Sequence, residues 1–208
     1  MIHKETITEK MTKISQIIFD NFESDYYLAG GTAIALQIGH RKSVDLDYFI
    51  NKNIDTLKLK NQILEIFKGY SIEFVFEEKN TLWCVIDGVK VSFISRFDIL
   101  LKEFLVVDNF RLASVNDLVV MKLLAICSRE EYKDYFDLAC LSTFTDIREW
   151  NNWWQKVYKN SDPISFMIAL ANTDKILEIP LDINNNFKTI SVKENISKIL
   201  LEIKKFVL

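Results

Sequence analysis

Asp45 and Asp47 stand one residue apart in a segment that alternates acid with apolar side chain, Val44-Asp45-Leu46-Asp47-Tyr48-Phe49-Ile50. Alternation of this kind predicts a strand, on which residues i and i+2 point to the same face. Two carboxylates are then held side by side. Like charges at that spacing repel, and a cation between them relieves the repulsion. Hard oxygen donors suit Mg²⁺ or Mn²⁺, which bind through one or two carboxylates together with substrate phosphates. The bland alternative is an exposed strand face with two solvated acids. Leu46, Tyr48, Phe49 and Ile50 argue against it by marking the strand as largely buried, where paired acids without a metal are costly.

Upstream, Tyr26-Tyr27-Leu28-Ala29 reads as a short strand, broken by Gly30-Gly31 and followed by a small-residue helix from Thr32 to Ile38. A strand, two glycines and a helix start let backbone N–H groups approach phosphate oxygens, and the helix dipole adds positive potential. Taken alone, such a turn is more often only a turn. Between it and the acids lies His40-Arg41-Lys42-Ser43. Arg41 and Ser43 are candidates to contact phosphate or to pin the loop; an ordinary solvated basic turn is the equal alternative. His40 has no partner at metal-ligand spacing and reads as structural.

A second candidate lies far along the chain. Lys122 is the only charge between Leu118 and Cys127, in a helix apolar nearly all round. Such a helix is buried, and a lysine in it needs an anion or must snorkel to the surface. Asp134, Asp137, Leu138 and Leu141 share one helical face and bring acids to an apolar neighbour. The expectation is that Lys122 lies beside the cleft of Asp45 and Asp47, neutralised in the free protein by Asp134 or Asp137, and that Lys122→Met keeps the packing.

The elements that must position these residues follow from periodicity. Helices are predicted over residues 5–22, 54–68, 115–128, 130–143, 163–172 and 191–206. Ser71 to Glu77 reads as a strand. Thr81 to Ile86 and Val89 to Ile94 flank Asp87-Gly88, a type I′ hairpin signature. Ser114-x-x-Asp117 is a helix N-cap pattern. The expected fold is α/β (α+β): a small mixed sheet packed by helices in residues 1–110, and a helical region in 111–208 that completes the cleft.

Composition excludes several classes. Apolar residues make up 49% of the 208, which argues against disorder. The net charge of −3 gives no global support for nucleic-acid binding but leaves room for a local basic cleft. No apolar stretch is long enough to span a bilayer and no signal-like segment opens the chain, so no membrane partner is expected and the expected location is the cytoplasm. Cys84, Cys127 and Cys140 are odd in number, too far apart for a zinc site, and expected to be buried small hydrophobes in a reducing compartment.

The segment from Leu28 to Phe49, LAGGTAIALQIGHRKSVDLDYF, resembles the signature of the AbiEii/AbiGii-type nucleotidyltransferase toxin family, part of the polymerase-β-like nucleotidyltransferase superfamily. Leu118-Val-Val-Met-Lys122-Leu-Leu-Ala and Arg129…Lys133-Asp134-Tyr-Phe-Asp137-Leu138 resemble the later motifs of that family. Position 133 is Lys rather than Arg. The resemblance covers residues 25–141. It implies transfer of a nucleoside monophosphate from a nucleoside triphosphate to a hydroxyl on RNA (tRNA included), protein or another acceptor. The catalytic residues would be Asp45, Asp47, Lys122 and Asp134. Asp45 and Asp47 would hold Mg²⁺ or Mn²⁺. Gly30, Gly31, Thr32, Arg41, Ser43, Lys122 and Asp137 would face the nucleotide. It also implies the toxin of a two-gene toxin–antitoxin or phage-defence system, with a cognate antitoxin as partner.

Many members of the superfamily carry a third carboxylate on a later strand, and Ser92 stands where that acid is expected. This departure keeps open a nucleotide-binding or interaction protein of the same fold without efficient turnover. A metal-dependent nuclease also needs paired acids on a strand, but the Gly-Gly-Thr cradle argues against it.

Overall fold

The computed structural model describes residues 2–159 and 161–207. Its α-carbon contacts divide the chain into two compact units: Met1–Asp98 with Phe104–Ala113, and Ile99–Glu103 with Ser114–Leu208.

The first unit is a seven-stranded mixed sheet with helices α1 (Glu9–Asn21), α2 (Gly30–Ile38) and α3 (Thr56–Ile66). In chain order the strands are β1 (Tyr27–Ala29), β2 (Asp45–Ile50), β3 (Ile72–Glu78), β4 (Thr81–Ile86), β5 (Val89–Ser95), β6 (Leu105–Val107) and β7 (Phe110–Leu112). In space the order is β3-β4-β5-β2-β1-β7-β6. β2 runs parallel to β5 and β1 parallel to β7; the other pairs are antiparallel.

Alternation sorts the side chains of the central strands. Leu46, Tyr48 and Ile50 of β2, Val91 and Phe93 of β5, and Leu82, Cys84 and Ile86 of β4 are buried on one face. Phe93 stacks on Phe22 and Tyr48 and meets Tyr26 edge-on, an aromatic cluster that anchors the sheet. Each large side chain so buried contributes about 1.5–3 kcal/mol. Asp45, Asp47 and Phe49 fall on the opposite face with Lys90, Ser92 and Ile94 of β5, as the registers require.

The Asp87-Gly88 turn has φ of 49° and 84°, the two positive values of a type I′ turn. β6 and β7 form a hairpin the sequence pattern did not anticipate. Its turn, Asp108-Asn109, also has two positive φ values, 49° and 66°. β7 spans the point, between residues 110 and 111, where the sequence reading divides the chain.

The second unit is helical, with α4 (Val115–Ser128), α5 (Tyr132–Leu141), α6 (Trp150–Val157), α7 (Ile164–Ala171) and α8 (Val192–Val207). α4 packs against α5, α6 and α7, and α8 against α5 and α7. Ser114 caps α4 by accepting from the Asp117 N–H at 3.2 Å, and the Asp117 carboxylate accepts from the Leu101 N–H at 2.7 Å. Trp150, Trp154, Phe166, Leu170, Ile196, Ile199 and Ile203 form its apolar core.

One cysteine departs from expectation. Cys84 and Cys140 are buried, but Cys127 is exposed. It lies in the last turn of α4, and its thiol donates to the Leu123 carbonyl at 3.1 Å. Among the described residues no helix is long and apolar enough to cross a membrane.

Candidate active site

β2 carries Asp45 and Asp47 on one half-buried face. Asp47 is in register with Ala29 of β1 on one side and with Ser92 of β5 on the other. The Ser92 hydroxyl donates to Asp47 Oδ1 at 2.6 Å. The position at which the sequence reading looked for a third acid is therefore beside the pair, and there a neutral donor orients one carboxylate.

On the other flank Gly30 opens α2 with φ +65°, and a Cβ built there would lie 2.8 Å from Asp47 Oδ2. Backbone and carboxylate approach each other too closely for any side chain. Gly30→Ala forces a left-handed conformation costing about 1–2 kcal/mol and pushes the Asp47 carboxylate aside. The expected result is a thermal midpoint lower by about 2–8 °C. Affinity for a magnesium–triphosphate complex should fall by about tenfold or more, since displaced groups around a metal typically cost that much. Unchanged affinity by calorimetry would remove Gly30 from the site.

Thr32 and Ser43 are buried and bonded to each other, their hydroxyl oxygens 2.7 Å apart. The Thr32 hydroxyl also reaches the Asp45 carbonyl. Ser43 donates its N–H to the Thr6 carbonyl at 2.9 Å. These contacts tie the start of α2 to the start of β2 and fix the spacing between glycine turn and acids. Arg41 is buried too, its guanidinium donating to the Lys42 carbonyl at 3.0 Å. A solvated turn is thus excluded for Arg41, while Lys42 is exposed. His40 is fully buried, in keeping with a structural role.

Among the described residues no group of three or more His, Cys, Asp or Glu is arranged to hold a metal. The donor set is the two-carboxylate kind. That fits Mg²⁺, which keeps several waters and takes its remaining oxygens from substrate phosphate.

In the helical unit Lys122 is only 5% exposed, so it does not snorkel. Its ammonium lies 2.5 Å from Asp134 Oδ1 and 2.7 Å from Asp137 Oδ2, both on fully buried residues. Arg129 donates from Nε to Asp134 Oδ2 at 2.8 Å. Lys133 pairs instead with Glu131 at 2.9 Å. Burial alone pushes the Lys122 ammonium down, but Asp137 and Asp134 together outweigh it and hold the group above its ordinary value. Burial pushes the Asp134 carboxyl up, and Lys122 with Arg129 outweighs that to hold it below the usual range. The cluster is two cations and two anions whose charges balance locally. The i, i+5 spacing of Arg129 and Asp134 across a helix start carries no simple periodic signal, and the resemblance alone brought Arg129 into view.

The model of the nucleotidyl transferase AbiEii toxin family, of type IV toxin–antitoxin systems, matches residues 14–152. The chain belongs to that family. This AbiEii-family chain is 31% identical over 160 residues to an uncharacterized protein of Aquifex aeolicus (strain VF5), covering 74% of this chain and 76% of the relative. Its fold is similar to MenT4, a nucleotidyltransferase toxin from Mycobacterium tuberculosis H37Rv, with a TM-score of 0.60 at 12% identity over 94% of this chain and 82% of that one. It is also similar to JHP933 from Helicobacter pylori, with a TM-score of 0.54 at 16% identity over 99% and 93%. The AbiEii-family chain is a nucleotidyltransferase with the mixed α/β fold of that class. Lys122, Arg129, Asp134 and Asp137 all lie within the matched segment.

Proposed function

We propose that this AbiEii-family nucleotidyltransferase moves a nucleoside monophosphate from a nucleoside triphosphate to a hydroxyl of an RNA (tRNA included) or protein acceptor, as the toxin of a pair with a cognate antitoxin. The observation that carries the reading is the placement of Asp47 between Gly30 and Ser92. Asp45 and Asp47 would hold Mg²⁺ or Mn²⁺. When bound, the cation neutralises phosphate charge and favours an in-line geometry.

The other roles belong to the chain. Gly30 and Gly31 admit the phosphate tail to the N-terminus of α2, where backbone N–H groups and the helix dipole favour anions. Thr32, Ser43 and Arg41 keep that turn at a fixed distance from β2. Ser92 holds the Asp47 carboxylate in one orientation. Lys122, Asp134 and Asp137 enter the proposal as the charge cluster that the later motif contributes to turnover. In the transfer the acceptor oxygen forms a bond to the α-phosphorus. The bond from that phosphorus to the bridging oxygen breaks, pyrophosphate leaves with the electron pair, and the acceptor's proton passes to water.

Ser92 in place of an acid favours a second reading, a nucleotide-binding or interaction protein with little turnover. Incubation with each α-labelled triphosphate, magnesium, total RNA and total protein separates the two. Label should become acid-precipitable with wild type and not with Asp45→Ala, and expression of wild type should slow bacterial growth relative to Asp45→Ala at matched protein levels. Triphosphate binding without label transfer would decide for the second reading.

A further inference from the structure

The face of the sheet that carries the acids continues outward into exposed aromatic side chains. Through the registers, Asp47 is beside Ser92, Ser92 beside Trp83 of β4, and Trp83 beside Phe76 of β3. The four residues form one cross-strand row. Phe76 reaches it only because the pairing of β3 with β4 slips between Phe74 and Phe76. Phe74 is opposite Cys84 on the buried face, whereas Phe76 is opposite Trp83. A one-residue bulge reverses which face a side chain joins. Without it, Phe76 would fall on the other side of the sheet.

The two rings lie 4.8 Å apart by centroid at an angle of 42°. Trp83 is 45% exposed and Phe76 39%. Exposed apolar side chains that lie together mark an interaction surface, whereas singly scattered ones need no explanation. Two strand spacings, about 10 Å, separate Trp83 from Asp47. Lys90 is exposed on this face one row away, opposite Val85 of β4 and Asp45 of β2, and offers a cation beside the rings.

Direction follows from the proposed transfer, on which this step rests. The phosphate tail belongs on the Gly30 flank of Asp47. In-line displacement brings the acceptor oxygen from the side opposite the leaving group, which is the flank of Ser92 and Trp83. We propose that Trp83 and Phe76 form a stacking platform for an unpaired base at the end of an RNA acceptor strand, with Lys90 meeting a phosphate of that strand. An exposed aromatic face takes any base by stacking, and the row then leads the terminal ribose hydroxyl toward the acids. A protein acceptor has no such requirement for flat rings.

The test uses the full chain and a short single-stranded oligoribonucleotide with a free terminal hydroxyl, labelled at its other end. Binding is read by fluorescence anisotropy with chelator present and no triphosphate. Trp83→Ala should weaken binding about tenfold or more, Phe76→Ala by a smaller factor in the same direction, and Trp83→Phe by no more than about threefold. A blunt duplex of the same sequence should bind equally to wild type and Trp83→Ala. In label transfer, Trp83→Ala should raise KM for the RNA and leave KM for the triphosphate unchanged. Trp83 is exposed, so these variants keep the fold, as thermal midpoints will show. Oligonucleotide affinity unchanged in both alanine variants overturns the platform, as does failure of wild type to bind the strand. A loss confined to triphosphate affinity, or to antitoxin binding, also overturns it. Label transfer that persists in wild type while the platform fails leaves the transfer reading standing; strand binding without any transfer does the reverse.

Discussion

Asp47→Ala is expected to lower nucleotidyl transfer by about a thousandfold or more while the protein stays folded. Charge stabilisation by a bound cation is worth several kcal/mol in the transition state, and each ~1.4 kcal/mol is tenfold in rate. Asp47 is one of only two carboxylates on its face of β2 and the one whose orientation is fixed from both sides, by the Ser92 hydroxyl and by the bare backbone of Gly30. Removing it also removes a repulsion from Asp45, so the cost to folding is small. Asp47→Asn is the sharper variant. Its amide oxygen still accepts from Ser92 and its shape is unchanged, so the thermal midpoint should match wild type while transfer is lost. Asp45→Ala should behave alike. The measurement is label transfer at saturating magnesium, with magnesium-dependent triphosphate binding followed by calorimetry. An Asp47→Asn variant that binds and transfers as well as wild type would sink the assignment of the acids.

Lys122→Ala should destabilise the helical unit by about 3–5 kcal/mol, the usual cost of breaking a buried ion pair on one side only. In thermal melts that is a fall of about 6–20 °C. The sequence reading expected Lys122→Met to preserve the packing, but the structure revises this. Asp134 and Asp137 both aim at the ammonium, so methionine takes a shared cation from two buried carboxylates and leaves Arg129 to Asp134. Lys122→Met should therefore be nearly as damaging as alanine, and adding Asp137→Asn should recover part of the loss. The pH dependence has a definite sign. Asp134 has its pKa lowered on folding, so its contribution is present above about pH 4 and disappears as pH falls through the lower folded value. Lys122 has its pKa raised, so its contribution is complete below about pH 10 and disappears as pH rises through the folded value. Urea melts of wild type should be flat between about pH 5 and pH 8, because burial holds the Cys84 thiol well above its ordinary value and stability declines once an unfolded thiol can ionise. Lys122→Met should lose the Lys122 share of the alkaline limb. A variant as stable as wild type at neutral pH would show that the cluster does not support the fold.

Much of this was legible in the sequence where a single physical rule governs. The alternation around Asp45 and Asp47 gave β2 and its faces, and Asp87-Gly88 gave the hairpin. The lone charge in an apolar helix led to buried partners for Lys122. What stayed hidden depends on pairing rather than on local pattern. β6 and β7 are three residues each, too short for periodicity, and β7 is held by a parallel partner far back in the chain. The slip that turns Phe76 outward is invisible in a run that reads Ile-Glu-Phe-Val-Phe, because either face is compatible with it. Thr32 reads as a nucleotide contact by type, and Ser43 as a phosphate contact or a pin for the loop; their mutual hydrogen bond, which pins the loop, has no local pattern to announce it. Cys127 looked apolar by its neighbours, yet its place at the last helical turn leaves it exposed.

The pairing of Leu28 with Leu112 has a consequence for how the protein is made. A chain emerging from the ribosome presents β1, then β2 and the following hairpin, while the other edge of β1 waits for β7. At about 5–20 residues per second the wait is on the order of ten seconds. During it Tyr27, Leu28 and Ala29 present an unpaired apolar edge, and residues 99–103 await the rest of their own unit, which is not yet synthesised. Vectorial synthesis thus holds the acid-bearing strand next to an open edge until Ala113 donates its N–H to the Leu28 carbonyl and closes it. A nascent nucleotidyltransferase of this design completes its sheet only when translation has passed the midpoint, so a messenger truncated before that point yields a chain with an exposed edge and no finished site.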